Sequence, residues 1–403
     1  MGKTLNDLYD GIYSIAKKVV QKGGTITSSN ISPSFNDIIN GIESIPYAPV
    51  NLQGVANVIL AEMPNTTIIM EDETGKVINT KTTNATKGGS VAFSVSEFGT
   101  YRFTAYNSEG VELWSKLFGV PSAGIYNCKV GKAFADYTDE EMFLAIDNDY
   151  AKFMWSVEDE RTTTTMGSKL TWQIYGFNTA RLADGSGEYS HMSLIMKTYT
   201  SASYKHYNSN VNNIGWEGSL IRQNGLAAGD VYYTRATVDA NTAGEFFAYD
   251  EMAKDWVLKT LPLEYDENEV YYTKNIVETD GAFLTGLPAW KDHIKQVEVP
   301  TADAGSGYKK IIISKDRVTI PSDGEVLGNS KRYSRYSQYE LEGEQKDFFK
   351  NNYTDSKIRR GNYWWLRSPN SGVAAGFCCV DGYGYVSGSG ASLTNTARLV
   401  VNL

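Results

Sequence analysis

The 403-residue sequence predicts a multidomain chain, mainly β with α+β character towards its C-terminus, led by two short N-terminal helices. Three observations carry this. Apolar residues recur at steps of three and four near the N-terminus, which is the helical period. A series of short alternating segments separated by turn residues follows Pro49 and describes a β-sandwich. Beyond Pro121, a helix-capping box at Thr138 is followed by further strand-like and helix-forming segments.

The first helix is read from Leu5, Leu8, Ile12, Ile15 and Val19, with Thr4 at the N-cap position and Gly23-Gly24 ending it. A second, Phe35 to Ile45, places Phe35, Ile38, Ile42 and Ile45 on one face. Residues 1–46 are thus expected to form a helical docking or oligomerisation segment; an ordinary helical hairpin against the next domain is the competing reading. The sandwich is expected over residues 47–120, with strands Val55–Glu62, Thr66–Glu71, Lys76–Thr80, Ser90–Val95, Tyr101–Tyr106 and Glu112–Val120. The third region, 121–403, opens with Thr138-Asp139-Glu140-Glu141, a capping box in which Thr138 and Glu141 satisfy each other's backbone N–H. Helix capping explains those acids more cheaply than a catalytic pair. Gly229–Arg235 is echoed by Asn268–Lys274, so a small β-rich insertion of four strands is expected at about 226–276, either as a second contact surface or as decoration. A helix near Ala289–Gln296, strands Lys309–Ser314 and Asp316–Ile320, and a helix-forming stretch Tyr336–Tyr353 complete the region.

Composition narrows the function classes. The formal net charge of -9 and the absence of any long Lys or Arg block argue against nucleic acid and anionic membranes as partners. No apolar run is long enough to span a bilayer, and no signal-peptide core follows Met1, so the chain reads as made in a cytoplasm. Cys128, Cys378 and Cys379 make neither a disulfide framework nor a zinc pattern, and no metal or cofactor is expected. Adjacent Cys378 and Cys379 on a strand would face opposite ways, one buried and one displayed. His191, His206 and His293 stand without a nucleophile signature beside them, so no catalytic residue is expected.

The most informative stretch is Tyr363 to Leu403. Apolar segments Tyr363–Leu366 and Leu399–Leu403 bracket a middle of Gly, Ser, Ala and Asn in which only Arg367, Asp381 and Arg398 are charged. Tyr among Ser, Gly and Asn is the mixture of antibody-type binding loops, where rings supply contact area and small residues adapt. A Gly-rich meander whose composition only reflects turns is the alternative.

Trp364-Trp365-Leu366-Arg367-Ser368-Pro369, the Gly/Ser-rich middle and Ala397-Arg398-Leu399-Val400-Val401 resemble the C-terminal module of a C-type-lectin-like family found in bacteriophage and gut-bacterial proteins, which includes the variable proteins of diversity-generating retroelements. Trp172-Gln173-Ile174, Gly215–Arg222 and Val318–Ser322 extend the resemblance over most of residues 130 to 403; Leu399 departs from it, since many members have Pro after the Arg. The sandwich similarly resembles the Ig-like spacers of phage and bacterial surface proteins. The resemblance implies a C-type-lectin-like α+β head, a virion location in a phage or prophage tail, a trimeric assembly, and a host cell-surface receptor, protein or glycan, as partner. Other tail proteins would dock through the N-terminal helices. The expected ligand-binding residues are Asn370, Val373, Ala375, Phe377, Cys379, Asp381, Tyr383, Tyr385, Ser387, Ser389, Ser392 and Asn395, on a frame of Trp364, Trp365, Arg367 and Arg398 that also holds Trp172 and Trp216 as core. Tyr333, Tyr336 and Tyr339 would line the rim or pack as half-buried core. A structural baseplate or fibre component is the alternative function, and a lectin-fold enzyme a third reading that the Cys spacing does not favour.

Overall fold

The computed structural model describes residues 55–165, 168–200, 203–208, 212, 214–223, 231–276, 282–287, 289–303, 310–328, 342–350, 362–370 and 375–403. The N-terminal helical segment at 1–46, Val373, and Tyr333, Tyr336 and Tyr339 lie outside these residues. The chain divides into two compact units, residues 1–131 and 132–403.

In the first unit, strands β1 (Ala56–Glu62), β2 (Thr67–Glu71), β3 (Val77–Thr82), β4 (Gly89–Val95), β5 (Gly99–Tyr106), β6 (Glu112–Val120) and β7 (Gly124–Asn127) form two sheets, ordered β4-β1-β7 and β3-β2-β5-β6. The period of two is clearest in β2, where Ile68 and Met70 are buried between half-buried neighbours, whereas β1 is buried along most of its length. Val58 and Leu60 of β1 meet Ile68 and Met70 of β2, Phe93 of β4 and Phe103 of β5 in one core. Phe93 and Phe103 pack edge to face at 5.5 Å. Glu62, fully buried, is tied by the Trp114 indole N–H at 2.7 Å, so its carboxylate is not left unpaired. The unit extends beyond the expected border at residue 120: β7 pairs in parallel with β1, and Cys128 and Val130 enter the core.

The second unit holds β8 (Glu160–Thr165), β9 (Ser168–Gly176), β10 (Ser193–Met196), β11 (Val231–Arg235), β12 (Gly244–Asp250), β13 (Asp255–Leu261), β14 (Tyr272–Ile276), β15 (Val297–Ala302), β16 (Ile311–Asp316), β17 (Val318–Thr319), β18 (Trp364–Pro369), β19 (Gly376–Val380), β20 (Val386–Gly390) and β21 (Val400–Asn402). They make sheets β17-β21-β10-β9-β8, β11-β14-β12-β13, β15-β16 and β18-β19-β20. Within the stretch expected as a β-rich insertion, residues 231–276 form one four-stranded sheet, with Tyr233 stacked on Trp256 at 3.9 Å. Thr138 and Glu141 form the capping box at the start of helix Asp139–Asp147, the longest described helix at nine residues.

These observations correct the fold class. Strand accounts for 44% and helix for 11% of the structure, in several small sheets, and the described residues form no clear lectin-type α+β domain. The physical reason is visible locally. Ala289–Gln296, expected as a helix, is a series of turns in which Trp290 is pulled into the core beneath Trp172, at 6.0 Å. Of the stretch 336–353, the helix described is the single turn Asp347–Lys350, which buries Phe348 and Phe349.

The Gly215–Arg222 motif is structural. Arg222 Nε reaches Asp316 Oδ1 at 2.6 Å and its Nη1 reaches Glu217 Oε1 at 3.1 Å, while Trp216 donates to Asp316 Oδ2 at 2.8 Å. The second Arg222 Nη donates to Val231 O at 2.7 Å and so ties the insertion to the body of the unit. Burial pushes the Glu217 carboxyl up to about 7 despite the neighbouring Arg222.

Candidate functional site

The C-terminal tract divides between interior and surface. Trp364, Trp365, Arg367 and Arg398 are all buried. Trp365 donates its indole N–H to Tyr204 O at 2.7 Å, and Arg398 donates from Nε to Met196 O at 2.9 Å while lying over the Trp364 and Phe348 rings. Arg367 donates to Ile320 O at 2.8 Å, to Glu325 Oε2 at 2.7 Å and to Glu342 O at 3.0 Å. The planar guanidinium, with its fixed fork of donors, thereby fastens β18 to the helix Asp323–Leu327 and to the segment at residue 342.

Strand β19 does not display its side chains. It is the middle strand of β18-β19-β20, and both of its faces are covered. Phe377 is fully buried, stacked on His206 at 3.7 Å and on Tyr207 at 5.8 Å. Cys378 and Cys379 are both fully buried. Phe377 and Cys379 are therefore corrected from contact residues to core, and the expectation of one displayed cysteine fails. The run Phe-Cys-Cys-Val already carried the signal: continuous apolar character marks a strand buried on both faces, whereas alternation marks a half-exposed one.

The surface lies at the β19–β20 turn and along β20. Asp381 Oδ1 accepts the backbone N–H groups of Tyr383 and Tyr385, each at 2.9 Å, and Asp381 N–H donates to Tyr385 O at 2.8 Å. Gly384, at φ +85°, supplies the left-handed residue that closes the turn. On this rigid tip Tyr383 is 68% and Tyr385 37% exposed. Ser387 and Ser389 on β20, then Ser392 and Asn395, are half-buried alongside Ala375 and Asn370. Asn370 closes its loop by a backbone bond to Gly376 O at 2.8 Å, and Asn212 Nδ2 bonds both Asn370 O, at 3.2 Å, and Gly376 O, at 2.8 Å. Asn395 exchanges two backbone hydrogen bonds with Tyr204, at 2.7 and 3.0 Å.

A second feature escaped sequence reasoning. A cleft of about 500 Å³ opens between the 181–189 hairpin and the segment 342–346, floored by β10, β21 and Arg367 of β18. Arg181 bridges to Tyr189 across the hairpin, and Leu182 to Val297, so the wall is anchored on β15. Ser193 Oγ donates to Asn402 Oδ1 at 2.7 Å on the floor and meets Thr179 Oγ1 at 2.8 Å. Glu342 accepts from the Ala302 N–H at 2.7 Å and from the Ser368 hydroxyl, and burial pushes its carboxyl up to about 7. For Glu325, burial works in the same direction, but Arg367 and Lys346 outweigh it and hold the carboxyl below its usual range. These residues come from segments more than two hundred positions apart, and no local spacing announces them.

The histidines are held structurally. His206 donates from Nε2 to Leu366 O, 3.1 Å away, and burial holds its ring neutral, its pKa down to about 3. His293 stacks on Phe143 at 3.6 Å, and His191 meets Ile146 O. Among the described residues no group of three or more His, Cys, Asp or Glu is placed to hold a metal ion, and no helix is long and apolar enough to cross a membrane.

Comparison with curated proteins and with solved structures returned no match. The sequence profile of DUF6273, a domain of unknown function, matches residues 190–401, which spans β10 to β21 and includes both the aromatic hairpin and the cleft floor. That match covers just over half of the chain, and the chain belongs to the DUF6273 family.

Proposed function

We propose that this chain is an adhesion protein of a phage or prophage tail, which engages a host cell-surface receptor through the β19–β20 hairpin. One observation carries the reading: Tyr383 and Tyr385 stand exposed on a turn whose backbone is fixed by Asp381, while the strand beneath them is locked into the core. Rings held on a rigid turn lose little freedom on binding, so most of their contact area is available as affinity. The tail setting is supported by the resemblance of the Trp364–Pro369 and Ala397–Val401 segments to tail-protein modules. In a trimer, three such tips on one cell surface would turn weak single contacts into durable attachment.

The test is binding of fluorescently labelled full-length chain to a panel of whole bacterial cells, compared with Tyr383→Ala/Tyr385→Ala. Loss of cell binding at an unchanged melting temperature is the expected result. Binding that survives the double substitution removes the hairpin from the interaction. Binding to purified tail proteins instead of cells supports the structural-component reading.

A further inference from the structure

We infer that the cleft between the 181–189 hairpin and residues 342–346 is a second binding site, and that it takes a neutral saccharide. This goes beyond the hairpin reading and stands on separate residues. Its size falls within the range of small-molecule sites and suits one or two pyranose rings.

The charge pattern selects a neutral ligand. Arg181 lies 3.6 Å from Glu298, and Glu325 lies 2.7 Å from Arg367 and 3.9 Å from Lys346. Each Arg and Lys that lines the cleft thus has a carboxylate beside it, leaving no bare cationic socket for a phosphate or carboxylate, and Glu342 and Glu344 add further acceptors. What such a wall offers is a mixture of donors and acceptors, which is the complement of hydroxyl groups. Tyr189, half exposed at the cleft's edge, presents an aromatic face of the kind on which the apolar side of a sugar ring packs.

An independent observation points to a missing partner. Tyr175 lines the cleft, is 2% exposed, and its hydroxyl has no hydrogen-bond partner among the described residues. Leaving a buried hydroxyl unpaired is unfavourable, and such groups are uncommon outside sites that meet a ligand or water. Its ring packs against Phe348 and Phe349, and a ligand hydroxyl that reached its oxygen from the cleft would give it a partner.

The experiment applies full-length chain to an array of neutral, sialylated and uronate-bearing oligosaccharides, followed by calorimetric titration of the strongest binder. Retention of neutral oligosaccharides is expected, with affinity falling about tenfold in Tyr189→Ala, a loss equivalent to one stacked ring. Tyr175→Phe should weaken binding several-fold while leaving the melting temperature unchanged or higher, because it removes an unpaired group from the apo protein. Tyr383→Ala/Tyr385→Ala should bind the same oligosaccharide as the unsubstituted chain. Failure to retain any neutral oligosaccharide, preference for the acidic ones, indifference to Tyr189→Ala, or loss caused by the Tyr383/Tyr385 pair overturns the proposal.

Discussion

At the level of single residues, burial decides role. Phe377 sits in a Gly/Ser-rich tract whose composition suggests display, yet its ring is clamped between His206 and Tyr207. Phe377→Ala should therefore cost about 3–5 kcal/mol of stability, seen in chemical denaturation, as for other large aromatic deletions from cores. The buried titratable groups also set a pH profile. Glu217 and Glu342 ionise only near 7 in the folded chain, against 4.5 for the free group, so the folded state holds more protons in between. Their contribution is complete below 4.5 and is lost as pH rises through about 7. His206 acts in reverse: folded near 3 against 6.5 when free, it contributes fully above 6.5 and less as pH falls towards 3. Glu325, held low, adds to the loss at acid pH. Thermal melts across pH should peak in the mildly acidic range and decline towards about pH 8, and Glu342→Gln should flatten the alkaline decline.

Among the elements, the strands of the sandwich and of the insertion were legible in the sequence because turn residues punctuate short alternating runs there. The capping box at Thr138 was legible for a similar reason, since its two partners are three residues apart. Elements whose conformation depends on distant partners were not. The 289–296 segment forms turns because Trp290 packs against Trp172 and Phe143, over a hundred positions away in each case. Within the hairpin, two backbone N–H groups depend on one carboxylate, so Asp381→Ala should loosen the turn by about 1 kcal/mol. Faster amide exchange at Tyr383 and Tyr385, with β19 amides unchanged, is the expected reading. At Gly215, φ is +55° and an added Cβ would lie 2.1 Å from Ala302 O. Backbone would have to move, so Gly215→Ala should destabilise the second unit much more than an ordinary surface exchange does.

For the molecule as a whole, the sequence exposed many single strands but not the border of the first unit or the sheets that join distant strands. The order β17-β21-β10-β9-β8 brings residues near 160, 195, 319 and 401 side by side, and the cleft floor exists only because of that pairing. The border of the first unit shows the same limit. Pro121 looks like the end of a sandwich, since Pro commonly closes a strand, yet the chain returns to lay β7 beside β1. Without β7, the β1 edge loses partners such as the bond from Cys128 N to Ile59 O at 2.8 Å. Cys128 and Val130, both nearly fully buried, would also leave the core. Burying one such side chain contributes about 1.5–3 kcal/mol, a large part of what a domain of this size holds in total. A fragment of residues 55–131 should accordingly unfold in one cooperative transition, because its two sheets cover each other's apolar faces. The fragment 55–120 should melt well below it or fail to fold, and equal melting temperatures for the two would show that β7 is an accessory strand and that the unit ends at Val120.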